Sequence, residues 1–305
     1  MQATGCIARP VTAADYPALR ALLERGWPES AGYHVSILNH WARNWPDILE
    51  AFETVLVVET PTGVAGYAGV KRQNAPYSTL PQALLDHFLV PDRPVDEAIA
   101  QLAEGIVAWA RTQDFARVSF IMEPGETAQQ EALRGLGFFP ERIALLTYEF
   151  PHPAAHPAIR PMRPEEYPQV LEMGARIGEH VASYPGAVQQ LGLAALIGLT
   201  ERDYREYGAN RPHCFLVAEH EGRLVGFLFA VYEPPNGGLL YDAYVLPEAR
   251  RLGLYRALNY QGSEWLYEQG ARYLVGYVHS ENEGPLRFLE AWGFKPYFTA
   301  WEFNL

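Results

Sequence analysis

The sequence predicts an α/β protein made of two tandem domains, each a mixed sheet with helices on its faces. Three observations carry this prediction. The chain has 305 residues, about twice the usual single-domain length. Strand-like runs alternate with helix-period segments. The second half also repeats the first in block order.

The repeat is legible residue by residue. Arg9-Pro10, Asp15-Tyr16-Pro17 and Leu19 return as Arg160-Pro161, Glu166-Tyr167-Pro168 and Val170, an offset of 151. Leu56–Tyr67 returns as Leu216–Phe227 at an offset of 160. From Val90-Pro91 against Leu246-Pro247 the offset is 156, and it holds through Trp109/Trp265, Gln113/Gln269, Gly137-Phe138/Gly293-Phe294 and Pro140/Pro296. Four blocks in one order argue for duplication rather than chance. The expected organisation is a first domain over 1–150, a linker over 151–157 and a second domain over 158–305. Four prolines between Pro151 and Pro161 exclude a helix at the junction.

In the second domain Ala158–Met162 reads as a short strand, and Pro164-Glu165-Glu166 opens a helix. Helical patterning runs brokenly to Tyr207, interrupted at Pro185-Gly186. Cys214–Glu219 and Leu224–Glu233 read as strands joined by a Glu221-Gly222 hairpin turn. Leu239–Leu246 is a strand, Arg250–Gln269 a helix stopped by Gly270, and Tyr273–His279 a strand. Pro285–Trp292 is a helix stopped by Gly293, and Tyr297–Phe303 the final strand.

Composition excludes several classes. With 49% hydrophobic and 20% charged residues the chain has the makings of packed cores. A net charge of −12 argues against a nucleic-acid partner. Two cysteines, Cys6 and Cys214, are neither a disulfide framework nor a metal-ligand spacing, so no metal is expected. The N-terminus lacks signal-peptide patterning, and the longest bland apolar run, Leu191–Leu199, is too short to span a bilayer. The expectation is a cytoplasmic protein with no membrane partner, a monomer or homodimer.

The stretch Pro247–Arg256 carries the chemistry. A strand entering an Arg/Gly turn at a helix N-terminus is suited to a diphosphate, because the first helical N–H groups lack partners and the helix dipole favours an anion. Gly253 permits close backbone approach, and Arg250, Arg251 and Arg256 add charged donors. About thirty residues on come His279-Ser280-Glu281-Asn282, a short helix and Trp292-Gly293-Phe294.

Together these motifs resemble the GNAT family of N-acetyltransferases over residues 158–305, and more loosely over the first half, as a tandem two-domain member. The resemblance implies that the backbone of Arg251, Leu252, Gly253, Leu254 and Tyr255 holds the diphosphate of acetyl-CoA as co-substrate. It implies that Val245 and Leu246 pair with the pantetheine arm and that Asn282 binds beyond it. Two departures stand out. Tyr255 occupies a small-residue position and is expected to crowd the diphosphate. Leu289 stands where many members have a tyrosine that protonates the departing thiolate, a role left to Tyr255 or Tyr297.

At the same offset the first half has Pro94, Val95, Asp96 and Glu97 in place of Arg250, Arg251, Leu252 and Gly253, and Glu126 in place of Asn282. Two carboxylates where a diphosphate should lie repel it, so the first domain is expected to be degenerate and structural or substrate-framing.

For the base, Asp242 is the only carboxylate inside the Leu239–Leu246 strand, where burial would raise its pKa and a water could relay the proton. Asp86 at the matching place in the first half favours a structural role for it instead. Glu281, Glu233 and His279 are alternatives. His180, Tyr184, Glu201, Asp203, Tyr204 and Tyr207 either line the acceptor site or belong to helix surface and core packing. The resulting expectation is acetyl transfer in the second domain from acetyl-CoA to the primary amine of a small molecule. The alternative is a non-catalytic acyl-CoA-binding or scaffold protein.

Overall fold

A computed structural model describes residues 7–26, 52–74, 78–89, 95–125, 127–151, 156–184, 186–187 and 189–305, without the side chains of 23–26, 86–89 and 95–96. The chain divides into two compact units. The first comprises 1–75, 80–140 and 300–305; the second comprises 76–79 and 141–299.

The first unit contains β1 (Ile7–Pro10), α1 (Tyr16–Gly26), β2 (Thr54–Thr60), β3 (Gly63–Asn74), β4 (Pro81–Leu89), α2 (Val95–Ala110), β5 (Arg117–Met122) and α3 (Thr127–Gly135). β1 to β4 pair antiparallel in sequence order, and β4 pairs parallel with β5. Leu56, Ala68, Leu85, Phe120 and Phe138 from the sheet side pack with Ile99, Leu102 and Ile106 of α2.

The sheet of this unit is completed by the last residues of the whole chain. Leu305 N–H donates to the Ala116 carbonyl at 3.1 Å, and Trp301 enters the core. The fully buried Glu302 accepts from Ser119 Oγ at 2.9 Å and faces Arg117 at 3.3 Å.

The second unit contains β7 (Ile159–Pro161), α4 (Tyr167–Val181), α5 (Leu193–Gly208), β8 (His213–His220), β9 (Arg223–Glu233), β10 (Gly237–Val245), α6 (Leu254–Glu268), β11 (Tyr273–His279) and α7 (Glu283–Trp292). β7 to β10 are antiparallel, and β10 pairs parallel with β11. On its other edge β11 pairs antiparallel with Arg142–Thr147 of β6 (Phe139–Thr147), a strand that precedes the linker. The final strand β12 (Lys295–Asn304) begins in this unit and ends in the first. Each unit therefore takes its closing strand from the other half of the sequence.

Side-chain alternation splits the second unit's sheet into two packed faces. Leu228, Leu240, Leu274 and Val278 meet Leu258 and Leu266 of α6 and Leu289 of α7. Phe227, Phe229, Tyr241 and Tyr244 meet Val170 and Met173 of α4 and Tyr204 of α5. The Glu221-Gly222 hairpin has both residues at positive φ, 52° and 71°, matching the twist of its strands. The helix expected from Arg250 starts only at Leu254, because Arg251 and Gly253 adopt left-handed φ of 67° and 78°.

The repeat has kept one staple in both units. Arg9 makes two hydrogen bonds to Asp15, at 2.8 and 2.7 Å, and one to Glu59 at 2.6 Å. Arg160 does the same with Glu166, at 2.8 and 2.6 Å, and with Glu219 at 3.0 Å. Asp15 and Glu166 also accept the backbone N–H of Thr12 and Arg163, so each ties the first strand to the helix that follows.

Two outcomes are expected. Hydrogen bonding to Arg160 holds the Glu166 carboxyl well below the usual carboxylate range, at about 2. The folded state thus favours the ionised form, so the stabilisation is full above the unfolded value of about 4.3 and fades as pH falls toward 2. The melting-temperature gap between wild type and Glu166→Gln should be constant from pH 7 to 5 and narrow between pH 5 and 3. Separately, a Cβ on Gly262 of α6 would sit 2.1 Å from Leu228 Cδ2. Gly262→Ala should therefore lose about 1–3 kcal/mol by overpacking in thermal or denaturant unfolding, outweighing the gain of up to about 1 kcal/mol in helix propensity.

Candidate functional site

The site grows from a break in the β10–β11 ladder. The parallel register runs from Gly237↔Tyr273 to Leu240↔Gly276 and stops there, while β10 continues to Val245 and β11 to His279. At that point β10 also slips register against β9 between Leu240 and Asp242, leaving Tyr241 as the bulged residue. A bulge bends its strand and increases its twist. The two parallel strands thus separate toward their C-terminal ends, where open α/β sheets offer a crevice.

On the β9 side the ladder persists to the end. Tyr244 pairs with Phe227 and Val245 with Gly226, and Leu246 N–H donates to the Val225 carbonyl at 2.8 Å. The Leu246 carbonyl accepts from Ala249 N–H at 2.9 Å, so both backbone groups of Leu246 are engaged within the protein. Strand alternation turns the backbone groups of Val245 the other way, toward the gap. The Val245 carbonyl accepts from Arg250 Nε at 3.2 Å, and the Arg250 guanidinium lies 5.9 Å from the Tyr244 ring. Arg250 thus braces the turn, while Arg251 and Arg256 project from it exposed.

After a 3-10 turn over Pro247–Ala249, the left-handed Arg251 and Gly253 swing the chain into α6. No side chain caps the N-terminus of α6 at Gly253, and a Cβ there would meet nothing within 4 Å. The backbone N–H groups of the first helical turn have no intrahelical acceptors, and Leu252 just before them is 48% exposed. An uncapped, glycine-entered helix end flanked by two exposed arginines fits a diphosphate.

Tyr255 does not crowd this turn. Its ring turns toward α7 and meets Phe288 at 5.3 Å, edge to face. Burial pushes its phenol up to about 12, and the negative charge of Asp242 adds to the shift. Leu289 is buried under β11, where a Cβ on Gly276 would touch it, and carries no polar group into the gap. Asn282 sits at the N-cap of α7 with its side chain making no capping bond. Tyr297 lies on β12 beside Phe298, whose ring meets Tyr277 of β11.

Asp242 is half-buried on the α5 face of the sheet and accepts the Tyr204 hydroxyl at 2.8 Å. Tyr207 packs on Tyr241 at 4.5 Å, and burial, Asp242 and Asp203 all raise the Tyr241 phenol above its ordinary value. Asp203 pairs with its neighbour Arg202 at 2.7 Å, and burial raises its carboxyl. Glu201 is spent on an i,i+4 pair with Arg205. Of the expected acceptor-side residues, Tyr204 and Tyr207 therefore meet at the bulge, and Glu201 does not.

The other acid–base candidates separate by position. Glu233 pairs with Gly237 at the far end of β10, about 17 Å along the strand from Asp242 at ~3.3 Å per residue, so its partly buried, upward-shifted carboxyl lies away from the gap. His279 is buried at the C-terminal end of β11, and its Nδ1 accepts the Glu281 N–H at 3.2 Å. That bond occupies one ring nitrogen as acceptor. The Tyr184 ring stacks on His279 at 4.0 Å and 11°, and its hydroxyl bonds His180 Nε2 at 2.7 Å. These contacts were invisible in sequence; only the tyrosine and histidine content near residue 180 hinted at them.

In the first half Pro94 and Glu126, and the side chains of Asp86, Val95 and Asp96, lie outside the described residues. Glu97 is partly buried in the first turn of α2. Among the described residues no helix is long and apolar enough to cross a membrane, and no group of three or more His, Cys, Asp or Glu is arranged to hold a metal ion.

Comparison with known proteins agrees with this geometry. Residues 184–294 match the sequence model of the Acetyltransferase (GNAT) family. The mycothiol acetyltransferase of Thermomonospora curvata is 36% identical over 86 residues, which is 28% of this chain and 29% of that protein. The matched region therefore spans under a third of that relative's own length. The mycothiol acetyltransferase of Acidimicrobium ferrooxidans is 28% identical over 273 residues, 83% of each chain. Among solved structures, a GCN5-related N-acetyltransferase from Sphaerobacter thermophilus is 18% identical with a TM-score of 0.58, over 98% of this chain and 95% of that one. A tandem GNAT protein from the clavulanic acid biosynthesis pathway is 17% identical with a TM-score of 0.54, over 98% of both. The structural likenesses establish the fold. The splayed strands, bulge and glycine-entered helix all lie within residues 184–294, the region that resembles the GNAT acetyltransferase family and matches its sequence model.

Proposed function

We propose that the second unit is an N-acetyltransferase that moves an acetyl group from acetyl-CoA to the primary amine of a small molecule by direct transfer. The observation that carries this reading is the uncapped N-terminus of α6 beside the β10–β11 gap: one feature suits the diphosphate and the other a thioester arm reaching the sheet. Bound acetyl-CoA supplies the activated acetyl group.

Backbone N–H groups of Arg251 to Tyr255 hold the diphosphate, Val245 aligns the arm, and the half-exposed Asn282 binds beyond it. A backbone N–H beside the bulge polarises the thioester carbonyl. Asp242 accepts the amine proton, directly or through water, with Tyr204 fixing its carboxylate. The amine nitrogen bonds to the acetyl carbon, the carbon–sulfur bond breaks, and Tyr255 donates its proton to the departing thiolate. A phenol raised to about 12 keeps that proton at neutral pH. Tyr297 is the weaker candidate for this step, because its ring neighbour Phe298 belongs with Tyr277. The first half, with acids at its corresponding turn, is a degenerate domain that holds no acetyl-CoA.

The relatives' name makes the acceptor of mycothiol acetyltransferases one member of the amine panel to be screened. The reading is of a cytoplasmic protein, a monomer or homodimer, without nucleic-acid, membrane or metal partner. A specific observation favours a second reading: Leu289 is buried and apolar where a thiolate acid is common in the family. On that reading the protein binds acyl-CoA without turnover.

Calorimetric titration with acetyl-CoA should give one site per chain, lost in Gly253→Glu. That variant places a carboxylate at the diphosphate and a side chain at φ 78°, a backbone strain of about 1–2 kcal/mol. Two sites would sink the degenerate assignment of the first half; binding without acetylation of any amine would select the second reading.

With an active amine in hand, Tyr255→Phe should lower kcat about 10²-fold with little change in acetyl-CoA affinity. The wild-type kcat should show no alkaline fall below about pH 10, since the raised phenol stays protonated there. Asp242→Asn should lower kcat by about 10²–10⁴ and abolish the acid limb of the kcat/KM profile. A silent Asp242→Asn would mean that the carboxylate serves only to hold Tyr204.

A further inference from the structure

The segment joining α4 to α5 is fastened at two places within the second unit. At one, Tyr184 lies flat on the buried His279 ring at 4.0 Å and bonds His180 Nε2 at 2.7 Å. At the other, Gln189 meets residues 78 and 79, which belong to this unit although they precede the linker by some seventy residues. Gln189 Oε1 accepts from Ser78 Oγ at 3.1 Å, Thr79 N–H at 3.0 Å and Thr79 Oγ1 at 3.1 Å, while Gln189 Nε2 donates to Thr79 Oγ1 at 3.0 Å. Ser78 is 3% exposed, so this clasp is partly shielded from water.

The first fastening lies at the mouth of the gap. His279 ends β11 just beyond the point where it leaves β10. In register terms it shares a sheet face with Val275 and Tyr277, opposite the face that Leu274, Gly276 and Val278 turn toward α6 and α7. Tyr184 therefore stands on the α4–α5 side, across the sheet from α6, together with the Asp242–Tyr204 pair. Its phenol is raised by burial and then by the negative charge of Glu281, so the hydroxyl is neutral beside His180 Nε2.

From this juxtaposition we infer that Tyr184 is a specificity-determining wall of the acceptor site, and that Gln189 is a positioning residue acting through it, anchored by Ser78 and Thr79. The inference rests on the acetyltransferase reading above. It names a task for sequence ahead of the linker that needs no cofactor site there: supplying the fixed point against which the acceptor wall of the second unit is held. A side chain fastened at both ends loses rotamer freedom before the acceptor arrives, so the acceptor bears less of that ordering cost.

The test uses the full chain, with Gln189→Ala, Thr79→Val, Tyr184→Phe and Tyr184→Ala. Amide exchange at Ser183, Tyr184 and Gln189 should accelerate about tenfold in Gln189→Ala, with exchange in α5 and β10 unchanged. The acceptor KM should rise about tenfold in Gln189→Ala and Thr79→Val, with kcat within about twofold and calorimetric affinity for acetyl-CoA unchanged. Tyr184→Ala should reorder the acceptor panel toward bulkier amines, whereas Tyr184→Phe, which keeps the stack, should shift KM alone. Unchanged exchange in Gln189→Ala overturns the clasp. An unchanged panel order in folded, acetyl-CoA-binding Tyr184→Ala overturns the wall. A wild-type chain that acetylates no amine overturns the specificity role together with the reading beneath it, and the exchange data tell that failure from a failed clasp.

Discussion

The parting of β10 from β11 after Leu240 and Gly276 is the constraint on which the second unit's site depends. Two parallel strands that stayed paired would satisfy each other's backbone groups and leave no place for an extended arm. The bulge at Tyr241 bends β10 away, and it also sets Asp242 toward Tyr204 on one face while Tyr241 joins Tyr207. One irregularity in one strand thus opens the gap and equips its rim. The left-handed Arg251 and Gly253 then set where α6 can begin, and so where its unpaired N–H groups lie.

Much of the fold was legible in the sequence because it rests on short-range rules. Periodicity and punctuation located β11 at Tyr273–His279 to the residue, and the Glu221-Gly222 hairpin by its turn chemistry. Where the reading missed, the reason was backbone conformation. Arg251 at positive φ is an uncommon choice that no propensity foretells, and it delayed the start of α6 by four residues from the expected Arg250. The expected crowding by Tyr255 failed for a tertiary reason: Phe288 offers its ring a better partner. The stack of Tyr184 on His279 and the clasp of Gln189 on Ser78 and Thr79 join residues about 95 and 110 positions apart, and a single sequence carries no signal for such pairs.

The duplicated Arg–carboxylate staple shows what the two halves had to retain. Arg9 and Arg160 each join three segments, and each acid also takes the backbone N–H at the start of the following helix. Asp in one half and Glu in the other do the same work, because the guanidinium fork accepts either carboxylate in a bidentate pair. At the turn into α6 the demand is divided: Arg250 braces Val245 and Leu254 packs into the core, while Arg251, Leu252 and Gly253 are exposed.

The exchange of closing strands sets an order on biosynthesis. The strand that completes the second unit, Arg142–Thr147, leaves the ribosome before the other strands of that unit exist, and waits for β11. The strand that completes the first unit, with Trp301 for its core and Glu302 for Arg117 and Ser119, follows the whole of the second unit in sequence. Each half therefore needs sequence from the other before its sheet can close. A change at Trp301 or Glu302 would spare the turn at Gly253 and strike first at the half that is furthest away in sequence.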